Sequence, residues 1–352
     1  MKLSNTILKD ERRGNSEEIL IMGKVTIQDV ARAAGVSKST LSRFLNRNYS
    51  HMSVKTRERI AETVAAMDYR PSKRAQSLKT NHSRLIGIMI ADISNVYVSL
   101  LLKGITNYLK AFDYQTLIME SSNSLEQERQ QLTQMLDQSV EGIILQPTSR
   151  HSENYEFITT AQVPLILIDR ETQPPRWHTI VTDNFHASLM IGQQVLKAAR
   201  PYTVGVVVSE RIKAVTTREQ RLAGFTEGIA PIPVETVEID QDVTELRRTV
   251  LTLLKNKAHP IIFANNGKVL AATLRLLKSL EINVPMDVGV AGYDDWNWAG
   301  LVGPGISTVE QHPDKIGKLA GEILMKLIQN PSSSAQMSVY RLPATVALRA
   351  SI

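Results

Sequence analysis

Apolar residues recur at two different periods along this chain, and the change of period divides it. From Val25 the spacing is helical: Ile27, Val30, Ala31 and Ala34 share one face. Thr26 precedes them and is placed to cap the helix, its hydroxyl accepting from the orphan amides of the first turn. Gly35 follows, the residue that most easily takes the left-handed conformation that ends a helix. Val36 is an apolar plug and Ser37 a second N-cap. A second helix starts at about Lys38, with Leu41, Phe44 and Leu45 as its apolar side. Lys38, Ser39, Ser42 and Arg43 stay on its outer side, near the N-terminus. Residues 53–69 read as a third amphipathic helix with Ile60, Val64 and Met67 inward. Two short helices joined by a tight turn, the second with a polar leading end, have the layout of a helix-turn-helix.

From Arg84 the texture changes to short apolar runs separated by amphipathic stretches. Strands are expected at 85–91, 116–120, 142–146 and 165–169, with helices at 96–112, 125–138 and 152–162 between them. The series then repeats, with strands at 203–209, 234–239, 261–265 and 288–294 and helices at 218–229, 243–255 and 267–280. Continuous apolar strands with helices between them mean parallel sheets covered on both faces. The fold class is α/β, two similar lobes with a cleft between them. Chain crossings between lobes are expected near Thr182–Asn184, near 310–313, and either near 170–173 or among the C-terminal strands. The terminal RLPATVALRAS reads as a final strand and tail.

Charge changes the picture for the head only. Residues 24–83 hold 12 Lys and Arg against 4 Asp and Glu, while the whole chain carries a formal +6. A basic head on a near-neutral body points to a polyanionic partner for the head. The chain has no cysteine, which fits a reducing cytoplasm and excludes disulfides and Cys-ligated metal. No apolar run reaches the roughly 18 residues of a membrane span, and 3–8 is too weakly apolar for a signal peptide. No membrane partner is expected, and the expected location is cytoplasmic.

VTIQDVARAAGVSKSTLSRFLN, then VKTRERI, then YRPSKRAQSLKTNHSRLIGIM resembles the LacI/GalR family of bacterial repressors, and the resemblance runs on over almost the whole chain. It implies an order of parts: a disordered extension over 1–22, a helix-turn-helix domain over 23–69, a hinge helix and linker over 70–83, and an effector-binding and dimerisation body over 84–352 similar to periplasmic sugar-binding proteins. By position it places base reading at Lys38 and Ser39, with Arg43 one turn on. Lysine and arginine suit the two major-groove acceptors of guanine. Thr26, Ser37, Thr40 and Asn46 complete the helix-turn-helix set. Lys55 and Thr56, with Arg47 and Arg57, are expected at phosphates, which position a protein without reading sequence; for Arg57 and Arg59 a solvated surface charge is the competing reading. Leu78 maps to the hinge leucine that wedges between base pairs in the minor groove. Ala75 and Lys79 flank it.

In open parallel sheets a ligand sits beyond the carboxyl ends of the strands. That rule selects Asp92, Asn95, Tyr97 and Val98, then Gln146 and Thr148, then Asp169 and Arg170. In the second half it selects Arg218 and Arg221, then Asn265 and Asn266, then Tyr293, Asp294 and Asp295. Asp, Asn and Arg suit a ligand with many hydroxyls. Tyr97, Trp296 or Trp298 suits an apolar sugar face. The resemblance adds that Arg221 and Asp294 align with the effector-gripping arginine and aspartate, and that Tyr97, Asp169 and Asn265 occupy other pocket positions. It departs at Asn266, often Asp in the family, and at Val96, usually Pro. Arg170, Arg218 and Arg221 converging on one pocket favours a sugar acid, since arginine pairs carboxylates bidentately; neutralisation by Asp169, Asp294 and Asp295 favours a neutral sugar.

GxSxG, Walker A and HExxH sequences are absent, and no catalytic residue, cofactor or metal is expected. The sequence reads as a homodimeric transcriptional repressor of carbohydrate genes that binds double-stranded operator DNA and answers to a small sugar or sugar acid. A transport-type sugar-binding protein is the alternative; the basic head opposes it. A sugar-processing enzyme lacks an acid/base constellation.

Overall fold

The structure, a computed structural model, describes residues 25–70, 82–239, 242–294, 296–330 and 337–352. The expected extension, the hinge positions Ala75, Leu78 and Lys79, and Asp295 lie outside the described residues. The chain divides into two compact units at Asn81 and His82.

The first unit contains α1 (Ile27–Ala33), α2 (Lys38–Leu45) and α3 (Val54–Ala66). Each begins at the hydroxyl that the sequence offers. Thr26 and Asp29 form a reciprocal capping box, Ser37 accepts from the Thr40 amide and Ser53 from the Thr56 amide. Such caps contribute about 1 kcal/mol each. Val30, Ala31, Ala34, Leu41 and Ile60 are buried together, with Phe44, Leu45, Val64 and Met67 packed around them. Gly35 takes φ +59 between the first two helices. The third helix ends at Ala66 rather than 69, because Met67 caps it and Asp68 turns to φ +40.

The second unit is the two-lobed body. In order it runs β1 (Leu85–Ile90), α4 (Val96–Lys110), β2 (Gln115–Glu120), α5 (Leu125–Asp137), β3 (Gly142–Leu145), a 3₁₀ turn (Ser152–Tyr155) leading into α6 (Glu156–Thr160), β4 (Leu165–Ile168) and β5 (Thr179–Thr182). It continues with α7 (Asn184–Leu196), β6 (Val204–Ser209), α8 (Thr216–Gly228), β7 (Val234–Glu238), α9 (Thr244–Lys255), β8 (Pro260–Ala264), α10 (Gly267–Ser279), β9 (Gly289–Tyr293) and β10 (Ser307–Glu310). The chain ends with α11 (Pro313–Gln329), β11 (Val339–Leu342) and β12 (Thr345–Ala347).

Two six-stranded sheets result, ordered β11-β5-β4-β3-β1-β2 in lobe 1 and β12-β10-β9-β8-β6-β7 in lobe 2. Every pairing is parallel except β10 with β12. Strand residues alternate between faces, so each sheet serves two cores. Ile86, Ile88 and Ile90 meet α4 and α11, while Met89, Ile143 and Leu145 face the other way, toward α5. In lobe 2, Val207, Phe263 and Tyr293 pack toward α7 and α8, and Val206, Val208 and Ile262 toward α9 and α10.

Four elements stand outside the expected series: β5, α7, β10 and α11. The expected helix over 152–162 is a 3₁₀ turn followed by one short helix. The chain crosses between lobes at 182–184 and 310–313, as expected. The third crossing lies among the C-terminal strands, between β11 and β12, and not at 170–173. The expected single final strand is therefore two strands, one in each sheet. α7 packs tightly because a Cβ at Gly224 of α8 would fall 2.1 Å from the Phe185 carbonyl oxygen. The backbones touch where side chains ordinarily stand.

Candidate effector cleft and DNA-facing head

The carboxyl ends of the strands of both lobes open onto one cleft. It is narrow, with a cavity volume of about 70 Å³. Lobe 1 supplies Asp92, Asn95, Tyr97, Val98, Asn123, Gln146, Asp169 and Arg170; lobe 2 supplies Glu210, Val215, Thr217, Arg218, Arg221, Asn266, Lys268, Asp294 and Gln311.

Arg221 occupies the floor and is 5% exposed. Its Nε donates to Asn184 Oδ1 at 2.7 Å, Nη1 to the Asn265 carbonyl at 2.7 Å and Nη2 to Gln311 Oε1 at 3.0 Å. Its guanidinium lies 3.7 Å from the ring centroid of Tyr293. Asp294 stands beside it with φ +76, accepting from Gln311 Nε2 at 2.7 Å and from the Gly267 amide at 3.1 Å. Burial raises the Asp294 carboxyl above the usual carboxylate range, against the lowering pull of Arg221, Gln311 and Gly267. Burial pushes the Tyr293 hydroxyl up to about 12, so it enters the site neutral, bonded to Ser188 at 2.9 Å.

The other two arginines are differently engaged. Arg170 donates to the Pro147 carbonyl at 3.2 Å and to Asn123 Oδ1 at 3.0 Å. Its Nε lies 3.9 Å from Asp169 and makes no hydrogen bond among the described residues. Asp169, at φ +64, accepts from Gln146 Nε2 at 2.7 Å. Arg218 donates to the Arg211 carbonyl at 3.0 Å and pairs with Glu210. Lys268 bridges the lobes to Asp92 at 2.9 Å, and Arg150 reaches Glu219 at 3.1 Å across the same divide.

The cleft thus collects six of the seven expected effector residues: Tyr97, Asp169, Arg170, Arg218, Arg221 and Asp294. Asn265 is the exception. It is fully buried beneath the cleft, its Nδ2 bonded to Ser209 Oγ at 3.0 Å, because the backbone at the end of β8 turns it away to support Arg221. Trp296 and Trp298 do not line the cleft either; they line an apolar groove outside it, with Val96, Ala271, Leu274 and Val302. Tyr293 lies under Arg221 rather than in the opening, and Thr148 is tied to Ser121 at 2.9 Å. Six lining residues escaped the sequence reading: Asn123, Glu210, Val215, Thr217, Lys268 and Gln311. Glu210 directly follows β6 and Asn123 closely follows β2, so the strand-end rule reaches both. Gln311 needs β10 to be recognised first.

Behind Arg170 sits Glu128, fully buried on α5. It accepts from Tyr155 Oη and from the Thr148 amide, both at 2.8 Å.

In the head, the leading end of α2 carries three hydroxyls in one cluster, with Ser37 Oγ 2.8 Å from both Ser39 Oγ and Thr40 Oγ1. Lys38, Ser39, Arg43 and Asn46 are exposed along α2, and Arg47 and Lys55 are exposed beside it. Thr26 and Thr56 are engaged in caps. Arg57 is stacked 4.2 Å from the Tyr49 ring centroid.

Glu128 gives a pH prediction. Burial raises its carboxyl above the ordinary 4.5, although Tyr155, Thr148 and Arg170 oppose the rise. Such an acid releases its proton more readily from the unfolded chain, so its ionisation weakens the fold as pH climbs through the folded value. Glu128→Gln has no proton to lose. Its stability relative to the parent is expected to increase as pH rises above the ordinary 4.5, measured by urea unfolding. A difference that stays constant with pH contradicts this.

Two family descriptions match the chain: bacterial regulatory proteins of the lacI family over residues 26–72, and a periplasmic binding protein domain over 86–332. The HTH-type transcriptional regulator KdgR of Bacillus subtilis is 33% identical over 94% of this chain and 98% of its own length. The regulator PtxS of Pseudomonas putida is 30% identical over 89% of this chain and 92% of its own. The ribose operon repressor of Lactococcus lactis is 26% identical over 93% and 98%. In fold, the chain resembles the lac repressor dimer bound to operator and the anti-inducer ONPF, with TM-score 0.80 and 21% identity over 94% of this chain and 99% of that one. With a helix-turn-helix head, a two-lobed periplasmic-binding-like body and relatives that match it nearly end to end, the chain belongs to the lacI family of bacterial regulatory proteins and is a DNA-binding transcriptional regulator.

Proposed function

We propose that this chain is a homodimeric repressor of carbohydrate-metabolism genes whose operator affinity is set by a sugar or sugar acid bound in the cleft. The observation that carries the reading is the cleft itself. A buried arginine fork and a buried carboxylate, Arg221 and Asp294, face the strand-end groups of the opposite lobe across the cleft. Carboxylates and amides that accept and donate in pairs suit vicinal hydroxyls. Arg170 keeps an unbonded Nε, and Arg221 has no carboxylate within ion-pair reach among the described residues. Both features suit a ligand carboxylate, and tilt the reading toward a sugar acid. Against this, Asp169, Glu210 and Asp92 stand beside Arg170, Arg218 and Lys268, so a neutral sugar is the competing ligand.

On the DNA side, Lys38, Ser39 and Arg43 read bases from the exposed leading end of α2. Thr26, Ser37, Thr40, Asn46, Lys55 and Thr56 hold the helix to the backbone of the duplex, with the caps at Thr26 and at Ser53, which takes the Thr56 amide, presenting helix N-termini to phosphate. Ala75, Leu78 and Lys79 form the minor-groove hinge. The domain limits are those of the sequence reading, 23–69, 70–83 and 84–352. In the dimer, two heads meet a near-palindromic operator. The regulator works in the cytoplasm, where the DNA is.

The test is selection of DNA from a random pool, repeated with hexoses, hexonates and ketohexonates. A near-palindromic sequence whose binding one ligand class alters is the expected result. No enriched sequence, with ligand binding intact, favours the transport-type alternative. Two substitutions separate the parts. Lys38→Ala should weaken binding to the selected site by about 1–3 kcal/mol and relax its preference at one base; an unchanged preference removes Lys38 from base reading. Arg221→Lys should weaken the ligand response at least about tenfold, since hydrogen bonds to a charged group are lost, while the preference for the selected site, read by the head, is kept. An intact response excludes Arg221 as a ligand contact.

A further inference from the structure

Trp296 belongs to lobe 2 by chain position, three residues past β9, yet its ring packs against the apolar core of lobe 1. It meets Tyr97 edge-on, with ring centroids 6.4 Å apart at 61°. Tyr97 stands on the first turn of α4 and lines the cleft, while Trp296 lines only the groove outside. The Tyr97 hydroxyl is buried beside the Asp169 carboxylate and makes no well-formed hydrogen bond among the described residues. With so weak a polar anchor the ring takes much of its orientation from packing, and Trp296 supplies an edge of that packing from the opposite lobe.

The surroundings are shaped to hold the indole there. A Cβ at Gly267 would lie 3.0 Å from the Trp296 indole nitrogen and 3.1 Å from Asp294 Cβ. The start of α10 is thus cut back where the ring passes. Asp294, Trp296 and Asn297 all take left-handed backbone, at φ +76, +44 and +62. For a bulky residue that conformation is a genuine outlier and persists only where the surroundings over-determine it. Here it sends one carboxylate into the cleft and one indole onto the other lobe from a single turn.

We propose that Trp296 is a positioning residue of the effector site. Its indole fixes Tyr97 in the cleft wall and fastens lobe 2 to lobe 1, so ligand affinity depends on a ring that does not touch the ligand. This rests on the cleft being the effector site. The fastening itself is testable without any ligand.

The experiment is hydrogen exchange read by mass spectrometry on the full-length protein, comparing the parent with Trp296→Ala, Trp296→Phe and Trp298→Ala. Trp298 lines the same groove but packs on the lobe 2 core, so it controls for loss of a groove aromatic. In Trp296→Ala the amides of 95–98 should exchange about tenfold faster, while those of α11, in the same lobe, keep the parent rate. Trp296→Phe should restore most of the protection, and Trp298→Ala should leave 95–98 unchanged. Parent-like exchange of 95–98 in folded Trp296→Ala overturns the proposal, as does equal acceleration by Trp298→Ala. Because no ligand is present, either result stands whatever the cleft is found to bind.

Discussion

One buried guanidinium holds the working part of the body together. Arg221 sends each arm of its fork to a different strand of the argument between the lobes: to Asn184 just past the first crossing, to Gln311 at the second, and to the backbone at the end of β8. Thr182, at the first crossing, also meets Gln311, at 2.8 Å. A charge taken out of water is tolerable only when its donors are satisfied and a counter-charge is near. Here neutral amides and a carbonyl satisfy the donors, and Asp294 supplies the charge without direct contact. The same group that would grip a ligand is therefore bonded to two of the three crossings that join the lobes. Ligand contact and lobe arrangement are not separable events in such a site.

The contacts across the cleft rim are of a different kind. Lys268–Asp92 and Arg150–Glu219 join partly exposed side chains, and pairs of that sort are worth at most about 1 kcal/mol. They can break and re-form as the lobes move, whereas the packed cores on the sheet faces cannot. A body with rigid lobes, three thin crossings and weak rim contacts can exchange one arrangement of its lobes for another. The ligand need only prefer one of them.

Much of this was legible in the sequence, for identifiable reasons. The helix-turn-helix was readable because Thr26, Gly35, Ser37 and Ser53 punctuate it and its apolar positions are few and regular. The parallel strands were readable because burial on both faces leaves continuous apolar runs. Two of the missed elements lack those signals. β5 is only four residues, TIVT, and α7 buries polar and apolar residues alike, including Asn184 and Ser188. The strand-end rule found most of the cleft, since the rule is geometric and needs only the strands. It failed at Asn265, where a backbone turn decides which group faces the ligand, and at Trp296, whose partner lies in the other lobe. Neither a turn's direction nor a contact across lobes leaves a mark on spacing.

The central claim is that the cleft and the operator are linked through one two-state body. Linkage is reciprocal: a ligand that changes operator affinity by some factor must itself be bound more tightly or more weakly by that factor when operator is present. The measurement is a pair of titrations on the dimer, operator binding with and without saturating ligand, and ligand binding with and without saturating operator. Equal factors well away from unity are the predicted result. Ligand binding that is the same with and without operator would contradict the account, leaving a DNA-binding head and a sugar-binding body that merely share a chain.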